Sequence, residues 1–251
     1  MKKYLIILLL LFPFIFAASL QEMHRAVIAK KNAVGCLSGT YVTDDYEDGD
    51  YTNTPTWSAT EANGGSISVT EGSALHGSYG INSVTDSADD DAYLTLDWGA
   101  QQSEIWIGFY LRINGDFTND GDDDVVVLKL SGTDLDMNFA VRGKGVSTYA
   151  AQLSYIDLDS GSTDAGEIAI DENTTYWGVI HYLAADGTGE VCLDIAGSQE
   201  CASSLSNSTE TPDTLIVGVE YANSGITAGV DFYFDYIVVH DSSISTSGPC
   251  N

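Results

Sequence analysis

Apolar and polar residues alternate in short runs along most of this chain, with a period of two. The cleanest run follows Glu104: Ile105, Ile107, Phe109, Leu111 and Ile113 fall on one face, and Trp106, Gly108, Tyr110 and Arg112 on the other. This pattern predicts a half-buried strand over Ile105–Asn114. Val125–Leu130 is continuously apolar, as expected of a buried central strand. Further strands are predicted at Ser66–Glu71, Gly77–Val84, Ala92–Trp98, Met137–Arg142, Tyr149–Asp157, Leu215–Tyr221 and Phe232–His240. Tyr176–Leu183 and Gly189–Ile195 read as a hairpin around Ala185-Asp186-Gly187-Thr188. Clusters of Gly, Asn, Asp and Ser separate the runs, and no internal repeat is present. Many short strands at regular spacing predict an all-β, two-sheet antiparallel β-sandwich.

The N-terminus breaks this pattern. Lys2 and Lys3 precede an apolar run from Tyr4 to Phe16, interrupted in character only by Pro13, and Ala17, Ala18 and Ser19 follow. Basic, apolar and small residues in that order predict a secretory signal peptide over residues 1–19. The run is shorter than the ~20 residues that span a bilayer, so the expectation is cleavage rather than a retained anchor. Residues 20–40 read as a leader or linker carrying Arg25, Lys30 and Lys31, and residues 41–251 as one sandwich domain. The expected location is extracellular or at the cell surface, with no membrane contact after cleavage.

Charge narrows the partners. The chain has 37 acidic residues against nine Lys plus Arg, a net charge of −28. Five of the nine cations lie at or before Lys31, which leaves Arg112, Lys129, Arg142 and Lys144 in the body. So negative a chain is repelled by phosphate backbones, which argues against nucleic acid as a partner. It favours solubility and metal cations.

Four cysteines in an exported chain predict two disulfides, with three pairings open. Cys192 and Cys201 flank the turn-like Ala196-Gly197-Ser198, so they are expected to pair across a hairpin. Cys36 and Cys250 then remain for a second bridge, which requires the two ends of the domain to be neighbours. Closing so long a loop would constrain the unfolded chain by roughly 4–5 kcal/mol in the entropy model.

Several segments together resemble the concanavalin A-like jelly-roll superfamily, which includes laminin-G-like domains and carbohydrate-binding modules. Tyr46-Glu47-Asp48-Gly49 followed by Trp57 is similar to the opening of several carbohydrate-binding jelly rolls. Ala74-Leu75-His76-Gly77-Ser78-Tyr79-Gly80-Ile81 is similar to the strand that follows there. Tyr176-Trp177 through to Val191-Cys192-Leu193-Asp194-Ile195-Ala196-Gly197 resembles the laminin-G pattern of a Trp-led strand, a turn and a return strand. Phe234-Asp235-Tyr236-Ile237-Val238-Val239 resembles the last strand, which often carries an Asp. The resemblance spans roughly Tyr41 to Asp241 and implies a jelly roll; it does not imply one activity, because the superfamily hosts binders, lyases, hydrolases and structural proteins.

The resemblance implies a structural calcium ion held by Glu47 and Asp235, because first and last strands are adjacent in such modules. Calcium takes several oxygen ligands at ~2.3–2.6 Å, and Asp45, Asp48 or a carbonyl near Gly77 are candidates to complete the set. Asn119-Asp120-Gly121-Asp122-Asp123-Asp124 and Asp86–Asp91 are acidic loops without EF-hand spacing and read as solvated. Sugar recognition needs a flat aromatic wall and a few fixed polar groups. Trp106, Tyr110 and Arg112 share one strand face, and Tyr149, Tyr155 and His181 are candidates for the same surface. Trp57, Trp98 and Trp177 are assigned to the core or its edge. Two sequons, at Asn173 and Asn207, match the N-glycosylation pattern.

No catalytic residues are assigned. Retaining glycosidases need two carboxyl groups ~5–5.5 Å apart, and Tyr155-Ile156-Asp157-Leu158-Asp159 lacks the glucanase pattern of this fold. Arg112, His181 and Tyr110 are the groups a polysaccharide lyase would use, but the lyase signatures are missing. The reading is therefore a secreted carbohydrate-recognition module whose partner is a glycan or cell-surface polysaccharide. The alternatives are a structural or adhesive subunit that self-assembles into a surface layer, filament or virion, and a polysaccharide lyase or hydrolase.

Overall fold

A computed structural model describes residues 40–85, 90–115, 124–133, 135–143, 148–157, 161–222 and 229–249. The segments expected to be a signal peptide and, for nearly all its length, a leader lie outside the described residues, as do Cys36, Cys250, the acidic stretches at 86–89 and 116–123, and the side chains of Tyr149 and Tyr155. The described residues between 40 and 248 belong to one compact unit.

The alternation reaches the structure unchanged where it is strongest. Ile105, Ile107, Phe109, Leu111 and Ile113 are all buried, at 2% exposure or less, and the residues between them face outward from the core. Fifteen strands form among the described residues. In chain order they are β1 Val42–Asp44, β2 Ser58–Ala62, β3 Ser66–Thr70, β4 Gly80–Thr85, β5 Asp91–Asp97 and β6 Glu104–Asn114. Next come β7 Asp124–Thr133, β8 Leu135–Gly143, β9 Thr148–Asp157, β10 Gly161–Asp171 and β11 Tyr176–Leu183. The last four are β12 Gly189–Ile195, β13 Ser198–Leu205, β14 Thr211–Ala222 and β15 Val230–His240.

Two antiparallel sheets result. One has eight strands in the order β13-β12-β11-β6-β15-β4-β3, with β1 added to β15. The other has seven, in the order β10-β9-β8-β7-β14-β5-β2. Their inner faces share one core, bridged by Phe109 of β6 and Phe139 of β8 with ring centroids 5.5 Å apart. The arrangement is the expected jelly-roll sandwich, and the first and last strands are neighbours, with Val42 opposite Val239.

Three departures from the expected strands have physical causes. β4 begins at Gly80 rather than Gly77, because the backbone of 77–79 is held in a loop. β2 and β13 carry few large apolar residues, since each is an edge strand with little to bury. Tyr149 and Tyr155 belong to β9 of the seven-stranded sheet, whereas Trp106 belongs to β6 of the eight-stranded one. They therefore cannot share the Trp106 face.

Candidate functional site

The outer face of the eight-stranded sheet carries the residues singled out in the sequence. β6 lies between β11 and β15, which sets His181 of β11 opposite Trp106 and His240 of β15 on its other side. The His181 imidazole stacks on the Trp106 indole, with centroids 3.9 Å apart and planes at 17°. Glu104 Oε1 is 3.1 Å from His181 Nε2, and Glu190 Oε1 is 3.3 Å from His181 Nδ1. Trp106 and His181 are thus brought together, as a half-buried aromatic pair with a carboxylate at either side of the imidazole.

Tyr110 and Arg112 do not join that pair. Tyr110 stands four residues further along β6, ~13 Å away at the rise of a strand. His76 stacks on it at 5.8 Å, and the edge of Trp177 meets it at 5.0 Å. The chain after β15 also crosses this region: Ser245 O accepts the Trp177 indole N–H at 2.9 Å, and Ile244 is buried. Arg112 is occupied by a cation–π contact, its guanidinium 4.4 Å from the centre of the Tyr233 ring. Tyr236 meets the His76 ring edge-on at 5.4 Å, and His76, Tyr236 and the tail were not legible as parts of this face, because they reach it from segments distant in sequence. Trp177 was expected in the core or at its edge; it is buried on the outer side, where Gly108 leaves room for its ring.

Glu47 and Asp235 converge on one loop. Glu47 Oε1 accepts the N–H groups of Ser78 (2.5 Å) and Tyr79 (3.1 Å). Asp235 Oδ2 accepts those of Leu75 (2.8 Å) and His76 (2.7 Å), while Oδ1 accepts that of Tyr236 (2.7 Å). Gly77, at φ +76°, lies between these anchors, and a Cβ there would strike the Glu47 carboxylate. Asp235 is fully buried. Burial lifts its pKa to about 7, the three backbone bonds oppose the rise, and the charge of Glu47 adds to it. Nearby, Asp44 accepts the Tyr46 N–H (2.9 Å) and the Trp57 indole N–H (2.7 Å), and burial raises its pKa to about 6.

Glu47 Oε1 and both Asp235 oxygens already accept backbone N–H groups, and neither residue belongs to a group of three or more ligating side chains among the described residues, so the two carboxylates offer a hard cation only part of a ligand set. The donors are oxygens from two carboxylates that repel each other, one of them buried, and a cation would offset both burial and repulsion. The Tyr46 hydroxyl is also buried without a hydrogen-bond partner, within electrostatic reach of Asp44 and Asp235. The backbone bonds show that the same carboxylates fasten the 75–79 loop as well.

Among the described residues, the group with metal-ligand spacing is His181, Glu190 and Cys192. Cys192 is bonded to Cys201 across β12 and β13, as expected, and offers no thiolate there. Asn207, one of the two sequon asparagines, is buried, and its amide bonds Tyr182 Oη and the Leu183 carbonyl. The folded chain therefore does not present it for glycosylation. Among the described residues, no helix is long and apolar enough to cross a membrane.

No family model and no curated protein sequence matches the chain. Solved structures do. The cellulose-induced protein Cip1 superposes with a TM-score of 0.61 at 14% identity, over 81% of this chain and 99% of that one. Botulinum neurotoxin type C, whose cell entry depends on interaction with two ganglioside molecules, gives 0.52 at 9% identity, over 87% of this chain and 50% of that one. A botulinum neurotoxin serotype D/C binding domain gives 0.50 at 12% identity, over 86% and 50%. The chain thus spans about half the length of the toxin chains it matches. At these identities the likeness is one of fold, a jelly-roll β-sandwich.

Proposed function

We propose that this chain is an exported glycan-recognition module, with a structural calcium ion between Glu47 and Asp235. The observation that carries the glycan reading is the Trp106–His181 pair: a flat aromatic surface on an outer sheet face, with Glu104 and Glu190 within hydrogen-bond reach. Such a surface suits the C–H face of a sugar ring, and the carboxylates suit its hydroxyls. The fold neighbours support the reading in kind, one being a protein induced by cellulose and another a toxin dependent on gangliosides. Export is supported by the signal-like N-terminus and by the Cys192–Cys201 bridge, which suits an oxidising compartment.

The groups a lyase would draw from the sequence do not converge. His181 stacks on Trp106, and Arg112 stands six residues from Trp106 along β6, ~20 Å at the rise of a strand. Proton abstraction needs its acid, base and charge stabiliser around one sugar carbon, and this trio is too dispersed for that.

The test is a glycan array probed with the purified protein in calcium and in EDTA. Binding to at least one glycan, weakened by Trp106→Ala in a protein that still melts normally, is the expected result. An array without signal in both buffers removes the glycan reading. A melting curve that EDTA leaves unchanged at pH 8 removes the calcium ion.

A further inference from the structure

The outer face of the seven-stranded sheet is built differently from the face just described. β7 turns Val125, Val127, Leu128 and Leu130 into the core and Lys129 outward. Lys129 lies mid-sheet, between Asn138 of β8 and Ile216 of β14. Its ammonium is 3.1 Å from Glu220 Oε1 and 3.3 Å from Asp136 Oδ1, and the Ser131 hydroxyl donates to the same Asp136 oxygen at 3.3 Å. The Lys129 side chain keeps 16% of its surface exposed. Burial works to lower its pKa, but Glu220 and Asp136 outweigh it and hold the group charged.

Stability is a poor explanation for this arrangement. Partly exposed ion pairs contribute ~0–1 kcal/mol, and a mid-sheet lysine must lose hydration to form them. The body has four cations against nearly all of the 37 acids, and two of the four, Lys129 and Arg142, point out of this sheet. Both are matched, Arg142 by Glu167 at 3.3 Å. The named groups of this face are thus two cations against three carboxylates, Glu220, Asp136 and Glu167, a denser gathering of cations than elsewhere on a strongly negative molecule. The Asn138 side-chain oxygen beside Lys129 is buried without a hydrogen-bond partner.

Tyr221 supplies the second observation. It is half exposed, and it is the only large hydrophobic side chain classed as exposed among the described residues. It follows Glu220 directly, and its neighbour across the sheet is Val126 of β7. A register shift between Val217 and Tyr221 lets both Glu220 and Tyr221 leave the core. An exposed aromatic ring thus stands next to a lysine–carboxylate cluster.

We propose that this face, centred on Lys129, Glu220 and Tyr221, is a second glycan-binding site that takes a neutral polysaccharide. It rests on the glycan reading for its class of ligand, but on different residues, on the opposite sheet from Trp106. An ammonium has three donors, and the two carboxylates accept two of them. Adjacent sugar hydroxyls complete the pattern, one accepting from Lys129 and one donating to Asp136 or Glu220, while Tyr221 covers the C–H face of the ring. A neutral chain is the suitable ligand because a polyanion is repelled by the molecule as a whole. With a site on each sheet, one molecule can hold two polysaccharide strands.

The experiment is affinity electrophoresis through gels containing soluble neutral polysaccharides: a cellulose ether, a mixed-linkage glucan, a mannan and a xylan. Wild type is run beside Trp106→Ala, Tyr221→Ala and Lys129→Met, each checked by its melting curve. Tyr221→Ala and Lys129→Met are each expected to weaken retardation about fivefold or more on at least one polymer, with residual binding that Trp106→Ala removes. If Lys129→Met fails to fold, the half-exposed Tyr221 still decides the matter. Retardation unchanged by Tyr221→Ala, but lost in Trp106→Ala, overturns the second site and leaves the glycan reading standing. A wild type retarded by none of the four polymers overturns this site, and a silent glycan array as well would overturn the glycan reading.

Discussion

Asp235 combines two features that ordinarily exclude each other: complete burial, and a position where the sheet meets a polar loop. Its pKa near 7 and that of Asp44 near 6 stand above the ordinary value of 3.8. Between those values the folded chain binds more protons than the unfolded one. The stability these carboxyls contribute is therefore fully present below about pH 4 and is lost as pH rises through 6 and 7. In a chelating buffer the melting temperature should fall from pH 5 to pH 8, and Asp235→Asn should flatten the slope; a curve that rises over that range contradicts the assignment. The proposed calcium ion would compete with protons for the same oxygens, so under that proposal added calcium should raise the melting temperature more at pH 8 than at pH 5. In the sequence, Glu47 and Asp235 were recognisable through the jelly-roll resemblance alone. Their job as anchors of five backbone N–H groups was not, because hydrogen-bond partners 31 and 160 residues away leave no local pattern.

At the scale of elements, the legible strands were those with one wet and one dry face. β6 and β11 appear within a residue of where the alternation puts them. β10 and β13 were missed: β13 is an edge strand rich in Ser, and β10 is glycine-broken and polar through much of its length. The β12–β13 hairpin depends on more than its ladder, because Cys192 and Cys201 face each other in register. They are nine residues apart, and a loop of that size corresponds to about 2.5 kcal/mol in the entropy model. Replacing both cysteines by serine should lower the urea midpoint accordingly while leaving the rest of the sandwich folded. A double variant as stable as wild type would show that the ladder alone fixes this edge.

For the whole molecule, the net charge of −28 is a self-repulsion carried at every pH above the carboxylate range. Screening it should stabilise the fold. Raising NaCl from about 20 to about 200 mM, a range over which the Debye length falls from roughly 20 to roughly 7 Å, should raise the melting temperature. A fall with salt would mean that local pairs such as Lys129–Glu220 matter more than the global charge. The same charge decides between ligands. Both aromatic sites lie on an acidic body, so neutral glycans are expected to bind better than sulfated or uronic ones.

By itself the sequence determined the class: a period of two over many short runs can only bury its apolar half between sheets. It also determined the hairpin disulfide and the charge, because each is a property of composition or near neighbours. Tertiary structure alone decided which of the outward residues meet. Trp106 found His181 through strand pairing, while Tyr110 was taken by His76 and Trp177, and Arg112 by Tyr233. Those contacts depend on sheet order and on loops closing over long separations. A strand's own alternation says which face a side chain is on, and nothing about what will cover it.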